Sequence, residues 1–406
     1  MANAFQFKNK LGFGSLRFPR KPDGNVDTEL VSDLFDKYLV GGGRYFEAAY
    51  NYHQAEATIR ECLVKRYPRD QFWLADKMPV NEVRKYEDYE RIISEQLQKC
   101  GVKYFDFYLL HSVVKRTYLL TESLGGFDFI KDLKEKRLAR WIGFSFHDTA
   151  DVLEEILSKY HEQFDFVQLQ INYLDWESPV IQSKKCYEIA CKYNIPVFVM
   201  EPIKGGRLIS LPDAARLVFQ QANPNASNAY FSLKWVAEKE QVVCVLSGMN
   251  ALDQVEDNLT SLIPPVVLEL KEKNAIDKVV EIISLQKSIQ CTACNYCIPY
   301  CPKKIPIPDL LNLYEEDNVN HTGRLYDRII EGKGKASECL KCGKCEQVCS
   351  QHLEIRKYLQ DIAIEYEKEN FKEKIRKLVK SMLEKMNLLN WVRKLIRRFL
   401  DRGVFK

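Results

Sequence analysis

Two cysteine runs near the carboxyl end of this chain, Cys291, Cys294, Cys297 and Cys301, then Cys339, Cys342, Cys345 and Cys349, share the spacing Cys-x2-Cys-x2-Cys-x3-Cys, and Pro302 follows the first. The tight first three put their thiolates on one small loop, and the fourth comes from farther along. Repeated twice, this spacing marks a chain that holds two [4Fe-4S] clusters. In two-cluster ferredoxins the fourth cysteine crosses over, so Cys301 completes the set of Cys339, Cys342 and Cys345, and Cys349 that of Cys291, Cys294 and Cys297. Zinc is the rival for paired Cys-x2-Cys motifs, but it takes four ligands and does not explain the regular third and fourth cysteine. A disulfide framework suits a short secreted chain, which this is not. Cys62, Cys100, Cys186, Cys191 and Cys244 share no spacing and read as core thiols.

With 406 residues, 46% of them hydrophobic, the chain has enough apolar surface for a large core and a smaller module. Met1 to Lys10 contain no apolar run of signal length, and no stretch reaches the roughly eighteen apolar residues of a spanning helix. The expected location is a reducing cytoplasm in an anaerobic host. Net charge is +4, but Phe371 to Lys406 carry +9, which leaves −5 on the rest. A basic partner surface therefore belongs to the tail.

Ahead of the cysteines, β-branched and aromatic runs alternate with amphipathic stretches: Leu11 to Leu16, Arg44 to Ala48, Phe72 to Lys77, Phe105 to His111, Trp141 to Ser145, Phe164 to Asn172, Ile195 to Glu201 and Val242 to Gly248. Helical periodicity covers Thr28 to Val40, Tyr86 to Cys100, Asp148 to Lys159 and Ser183 to Tyr193. Strands alternating with helices require parallel pairing, and eight such units fit an α/β fold of the (β/α)8, TIM-barrel type. Gly12 and Gly14 lack the third glycine and following helix of a dinucleotide-binding Rossmann turn.

Chemistry in such barrels sits at the carboxyl ends of the strands. Glu47 and Tyr52, Lys77, His111, Ser145, Gln168 with Asn172, and Ser247 crowd those ends. A tyrosine hydroxyl with a pKa of about 10 serves as a proton donor at neutral pH when an ammonium lowers that value. Lys77, held by Glu47, is placed to do so for Tyr52, with His111 orienting a substrate oxygen. Such a set suits carbonyl reduction, hydride reaching carbon while Tyr52 protonates the oxygen.

The segments RYFEAAYNYHQAE (residues 44 to 56), ADKMP, YLLHS, IGFSFH, VQLQINYLD, VFVMEPIKGG and VLSGMNALDQVEDNL resemble the ordered motifs of the aldo-keto reductases. They are most similar to the branch whose barrel is fused to a carboxyl-terminal ferredoxin-like domain. The resemblance covers roughly residues 8 to 350. It implies Tyr52, Lys77 and His111 as catalytic residues, Glu47 at the position of the family aspartate, and a bound NAD(P)H. It also implies Ser145, Gln168 and Asn172 around the nicotinamide carboxamide. Glu47 is one methylene longer than that aspartate. Met200 stands where many members stack an aromatic ring, and Gln254 where many carry an arginine for a 2′-phosphate, whereas Asn258 matches an adenine-contacting asparagine. A helix beginning after Gly248 offers free amides to a phosphate. Arg17, Tyr118 and residues 115 to 128 are expected to line the substrate pocket.

The expected domains are a barrel over residues 1–270, a mainly helical two-cluster ferredoxin-like domain over 271–353, and a basic amphipathic helical tail over 354–406. In the tail Ile375, Leu378, Val379, Met382, Leu383 and later apolar residues recur at intervals of three and four among lysines and arginines, with Trp391 at the boundary. Such a helix packs on the barrel or on a partner subunit, or lies on an acidic redox partner or an anionic membrane surface, the last giving peripheral contact with an inner membrane face. Nucleic acid is not an expected partner. The function expected is an oxidoreductase acting on a small carbonyl or alcohol and coupled to the clusters through a redox partner. Since nicotinamide moves two electrons and a cluster one, a flavin or a docked protein is needed between them. The alternative is an electron-transfer or docking subunit whose barrel does not turn over nicotinamide substrates.

Overall fold

The computed structural model describes residues 5, 7, 9–262, 266–285, 289–316, 323–367, 382 and 391. They divide into two compact units, Met1–Lys287 and Ser288–Lys406.

In the first unit eight strands, β1 (Leu11–Gly14), β2 (Tyr45–Glu47), β3 (Trp73–Pro79), β4 (Phe105–Val113), β5 (Ala139–Phe146), β6 (Phe166–Gln170), β7 (Val197–Met200) and β8 (Val242–Ser247), pair in sequence order. β1 returns to β8 and every pairing is parallel, so the sheet closes as a (β/α)8 barrel. The strands are buried on both faces, which is why they read as continuous apolar runs rather than alternating ones.

The surrounding helices follow their apolar spacing. Tyr86–Cys100 buries Tyr89, Ile92, Ile93, Gln96 and Cys100, and ends on Gly101 at φ 71°, a left-handed cap that costs glycine little. Its start is fixed by the Asp88 carboxylate, which accepts from the Arg84 and Lys85 amides at 2.9 and 3.2 Å. The helix expected from Asp148 begins at Ala150, because Asp148 instead accepts the amides of Lys115 (2.6 Å) and Thr149 (2.7 Å).

Successive residues of a strand face opposite sides, so every second residue points into the barrel. Tyr45, Ala75, Phe107, Phe166, Phe198 and Cys244 fill it with Phe5, whose ring lies 5.6 Å from Phe107 and 5.5 Å from Trp141. The interior leaves no space at Gly12, where a Cβ would stand 2.8 Å from Cys244 Sγ and 3.0 Å from Tyr45. The same alternation carries upward from Tyr45 to Glu47, from Ala75 to Lys77, from Leu109 to His111 and from Phe166 to Gln168. The polar residues thus form the layer above an aromatic floor.

The helix Leu270–Ser284 follows the boundary expected at 270 but belongs to the barrel unit. It buries Ala275, Ile276 and Val279 in one cluster with Tyr173, Phe219 and Phe231, and its Glu272 accepts from Asn223 at 2.9 Å.

Described residues of the second unit are helix and turn without strands, in keeping with a helical ferredoxin-like arrangement. Ile307–Glu316 and Gly323–Ile329 lie between the cysteine motifs, and Ile355–Ile362 follows them. Leu310, Leu311, Ile355, Leu359 and Ile362 form its core with Tyr326 and Tyr366, whose rings stack 5.4 Å apart. The tail beyond 367 lies outside the described residues except for Met382 and Trp391, so its expected amphipathic helix does too. No described helix is long and apolar enough to cross a membrane.

Candidate active site and cluster loops

β2 and β3 are neighbours, and both carry a charged residue inward near their carboxyl ends. Lys77 Nζ lies 2.5 Å from Glu47 Oε1, and both side chains are almost wholly buried. The other Glu47 oxygen accepts from Tyr45 Oη (3.1 Å) and from Gln168 Nε2 (2.6 Å) on β6. A buried carboxylate with an ammonium and two further donors has its desolvation offset by geometry. The extra methylene of Glu47 therefore keeps the contact with Lys77.

Lys77 Nζ also lies 3.2 Å from the Tyr52 hydroxyl and 3.3 Å from the Ala48 carbonyl. Tyr52 is half-buried in the turn after β2, which is fixed by the Tyr52 and Ala55 amides on the Ala49 and Tyr52 carbonyls. Gln54, left-handed at φ 65°, ties that turn to Asn25 and Val26. His111 is buried, with its ring 5.9 Å from that of Tyr52 and edge-on. Burial, then Lys77 and His147, hold its imidazole well below the usual histidine range, so it is neutral at physiological pH.

The other residues singled out from the sequence separate into groups. Ser145 Oγ accepts the Ser112 amide at 2.8 Å, just past His111. Gln168 belongs to the Glu47 cluster. Asn172 gives its amide to Asp175 Oδ2 (2.8 Å) and the Glu201 carbonyl (3.2 Å), and its oxygen accepts the Asp175 amide (2.8 Å), so it serves a second buried network. In that network Asp175 pairs with the buried Lys204 ammonium at 2.6 Å. Met200 ends β7, half-buried. Ser247 Oγ accepts from Asn258 Nδ2 at 3.0 Å, and Gly248 lies against the Arg17 side chain. Gln254 is exposed and its Oε1 accepts the Asn250 amide at 2.9 Å. Tyr118 is buried, its hydroxyl engaged by Lys159 (2.8 Å) and Glu122 (3.2 Å).

Sequence reading missed His147, Lys204 with Asp175, and the buried acids Asp76 and Glu56. A buried lysine or acid looks in the sequence like any solvated charge, and only topology supplies its partner. The loop after β7 has left-handed backbone at Glu201, Lys204, Gly205 and Gly206, and no atom lies within 4 Å of where a Gly206 Cβ would be.

The cluster loops are a structural repeat. Left-handed residues occur at matching places in both motifs: Ala293 and Lys341, Asn295 and Gly343, Lys304 and His352. The Cys301 and Cys349 amides bond back to the Ile298 and Glu346 carbonyls in the same way. Cys291, Cys294, Cys297 and Cys349 line one cavity with Ile307, Pro308 and Leu311, the crossed set expected from the spacing. Burial and the neighbouring Cys294, Cys291 and Cys349 push the Cys297 thiol far up, and burial pushes Cys345 up to about 11. Thiols so placed ionise when a cation binds. All thirteen cysteines are free, which sets a disulfide framework aside. The turns and the four-cysteine cavity fit a cubane.

The aldo/keto reductase family model matches residues 10–281. This chain belongs to the aldo/keto reductase family. A 4Fe-4S dicluster domain matches residues 290–354, so the reductase barrel is followed by a two-cluster module. Among relatives, an aldo-keto reductase of Mycobacterium avium is 21% identical over 221 residues, 54% of this chain and 72% of that protein. The NADH-specific methylglyoxal reductase of Escherichia coli is 22% identical over 306 residues, 63% of this chain and 90% of that one. An aldo-keto reductase of Klebsiella pneumoniae, solved in complex with NADPH, superposes with a TM-score of 0.55 at 19% identity, covering 67% of this chain and 90% of that one. Family and fold make this aldo/keto reductase an oxidoreductase.

Proposed function

We propose that the barrel reduces the carbonyl of a small molecule, or oxidises the matching alcohol, with NAD(P)H, and that the clusters pass single electrons to or from a redox partner. The observation that carries the first part is the Tyr52 hydroxyl 3.2 Å from a Lys77 ammonium that Glu47 fixes at 2.5 Å. Bound nicotinamide supplies the hydride.

Tyr52 would hydrogen-bond the carbonyl oxygen and deliver its proton as charge grows there, a contribution of roughly 10²–10⁴-fold. Lys77 stabilises the phenolate left behind. Neutral His111 donates an N–H to the same oxygen, which an imidazolium would do only at a prohibitive desolvation cost. Ser145 and Gln168 border the position of the nicotinamide ring. The left-handed loop Glu201–Gly206 and the segment from Ser247 to Asn258 suit the pyrophosphate and adenosine, since phosphate sites of such barrels lie after strands seven and eight. Cys291, Cys294, Cys297 and Cys349 would hold one cluster, and Cys301, Cys339, Cys342 and Cys345 the other.

The second reading, an electron-transfer or docking subunit with an idle barrel, draws on the buried Asn172, whose amide group is taken up by Asp175 and the Glu201 carbonyl, and on Gln254 in place of an arginine. Anaerobic titration with NADH and NADPH, with and without an aldehyde panel, separates the two. Aldehyde-dependent nucleotide oxidation supports the first, and neither binding nor oxidation of either nucleotide would leave only the second.

A further inference from the structure

We propose that the cluster held by Cys339, Cys342 and Cys345 is the port for electron exchange with an acidic one-electron carrier protein, which docks on the basic pocket lined by Lys341, Arg356 and Lys357. This rests on the reading above that the clusters transfer electrons.

The two cluster loops are matched in backbone but not in surroundings. The cavity of the first set is walled by Ile307, Pro308, Leu311, Val348 and Leu353, and its Cys294 is half-buried where the equivalent Cys342 is exposed. In the second, Leu340, Lys341 and Cys342 are consecutive exposed residues, with Leu340 60% exposed. Beside them opens a pocket lined by Lys341, Glu346, Leu353, Arg356 and Lys357 among others. Leu353 lines both this pocket and the first cavity, so a group seated there is one side chain from the first cluster's cavity. The Arg356 guanidinium lies over the second loop: its carbon would be 3.7 Å from a Cβ at Gly343, and it donates to the Lys341 carbonyl at 3.4 Å.

Charge decides the partner. In the pocket three cations, Lys341, Arg356 and Lys357, meet two carboxylates, and both are already paired: Glu346 with Arg356 at 2.7 Å and Glu354 with Lys357 at 3.4 Å, which leaves Lys341 as the excess charge, with the exposed Lys344 three residues on. Lys341 and Lys344 form no ion pair among the described residues. The chain's own tail from Phe371 to Lys406, at +9, has the same sign and does not complement this face. A protein bearing carboxylates around its redox centre does, and Leu340 gives it an apolar contact at the exposed ligand. Steering of this kind raises association rates and fades with salt. The exchange moves one electron and makes or breaks no bond: the carrier is reduced by one as the cluster is oxidised by one.

The test uses the full chain loaded with both clusters and reduced by dithionite, mixed anaerobically with an oxidised acidic carrier, a flavodoxin. The wild type should react at a rate that falls with sodium chloride. Lys341→Glu combined with Lys357→Glu should lower that rate at least about tenfold, with iron content and electron transfer to benzyl viologen unchanged. Equal rates for variant and wild type, or a faster reaction with a basic carrier than with flavodoxin, would overturn the proposal. So would stronger inhibition by inorganic phosphate than by chloride at equal ionic strength, or by anionic vesicles, since these assign the pocket to a small anion or a lipid surface. Because the clusters are reduced chemically, an inactive barrel leaves the result intact. Failure of the wild type to reduce even benzyl viologen would instead sink the electron-transfer reading itself.

Discussion

Glu47 receives the Lys77 ammonium at 2.5 Å on one oxygen while its other oxygen holds Tyr45 and Gln168, so a single carboxylate joins β2, β3 and β6. Glu47→Ala would leave Lys77 charged and buried without its carboxylate, at a cost of about 3–5 kcal/mol. Glu47→Asp keeps a carboxylate within reach and should lose much less. Thermal unfolding of both variants checks this, and equal melting temperatures would show that Lys77 has another sufficient partner.

Behind that pair, on the outer face of β3, Asp76 and Glu56 share a buried site with Cys100 and Lys99. Burial, partly offset by Lys99, raises Glu56 to about 6, and burial with Glu56 nearby raises Asp76. A carboxyl whose folded pKa is raised binds its proton more tightly in the native state. For Glu56 the stabilising share is full below the unfolded value of about 4.5 and is lost as pH rises through about 6, and the raised Asp76 contributes in the same direction. Glu56→Gln should flatten the fall in melting temperature between about pH 5 and 6.5. An unchanged slope would place the titration elsewhere.

His111 shifts the other way. With its pKa well below 6.5, it is neutral in the native state while the unfolded chain protonates, so its share of stability is present above about 6.5 and lost below. In turnover it should contribute no ascending limb near pH 6.5 to kcat/KM. A limb there that disappears in His111→Gln would contradict a neutral donor.

The crossed ligation separates the fourth cysteines. Cys349→Ser should weaken the cluster of Cys291, Cys294 and Cys297, and Cys301→Ser that of Cys339, Cys342 and Cys345, each leaving about four of eight irons. Electron paramagnetic resonance of the reduced single variants, each compared with Cys294→Ser and Cys342→Ser, shows which signal is lost. If Cys349→Ser removes the same signal as Cys342→Ser, the ligands do not cross.

Some of this was legible in the residues and some was not. The helices Thr28–Val40 and Tyr86–Cys100 match their expected limits because apolar spacing and end residues agree, as Gly101 shows. β5 starts two residues earlier than its apolar run and β6 later, since strand limits depend on pairing partners that a linear reading lacks. The ring of Glu47, Tyr52, Lys77, His111 and Gln168 could be placed from strand-end logic. The role of Asn172 could not, because its partner Asp175 owes its position to a buried Lys204 from the next loop. The helix Leu270–Ser284 follows the boundary expected at 270 yet belongs to the barrel unit. Its apolar stripe of Ala275, Ile276 and Val279 is narrow, yet enough to seat it on the barrel.

The most direct test of the central claim is Tyr52→Phe, assayed anaerobically for NADH and NADPH oxidation with an aldehyde panel, alongside nucleotide binding by fluorescence. The substitution removes one hydroxyl and leaves the ring. We predict that kcat falls by about 10²–10⁴-fold while nucleotide binding and iron content stay as in the wild type. Turnover equal to wild type would contradict Tyr52 as the proton donor and with it the carbonyl-reduction mechanism of this barrel.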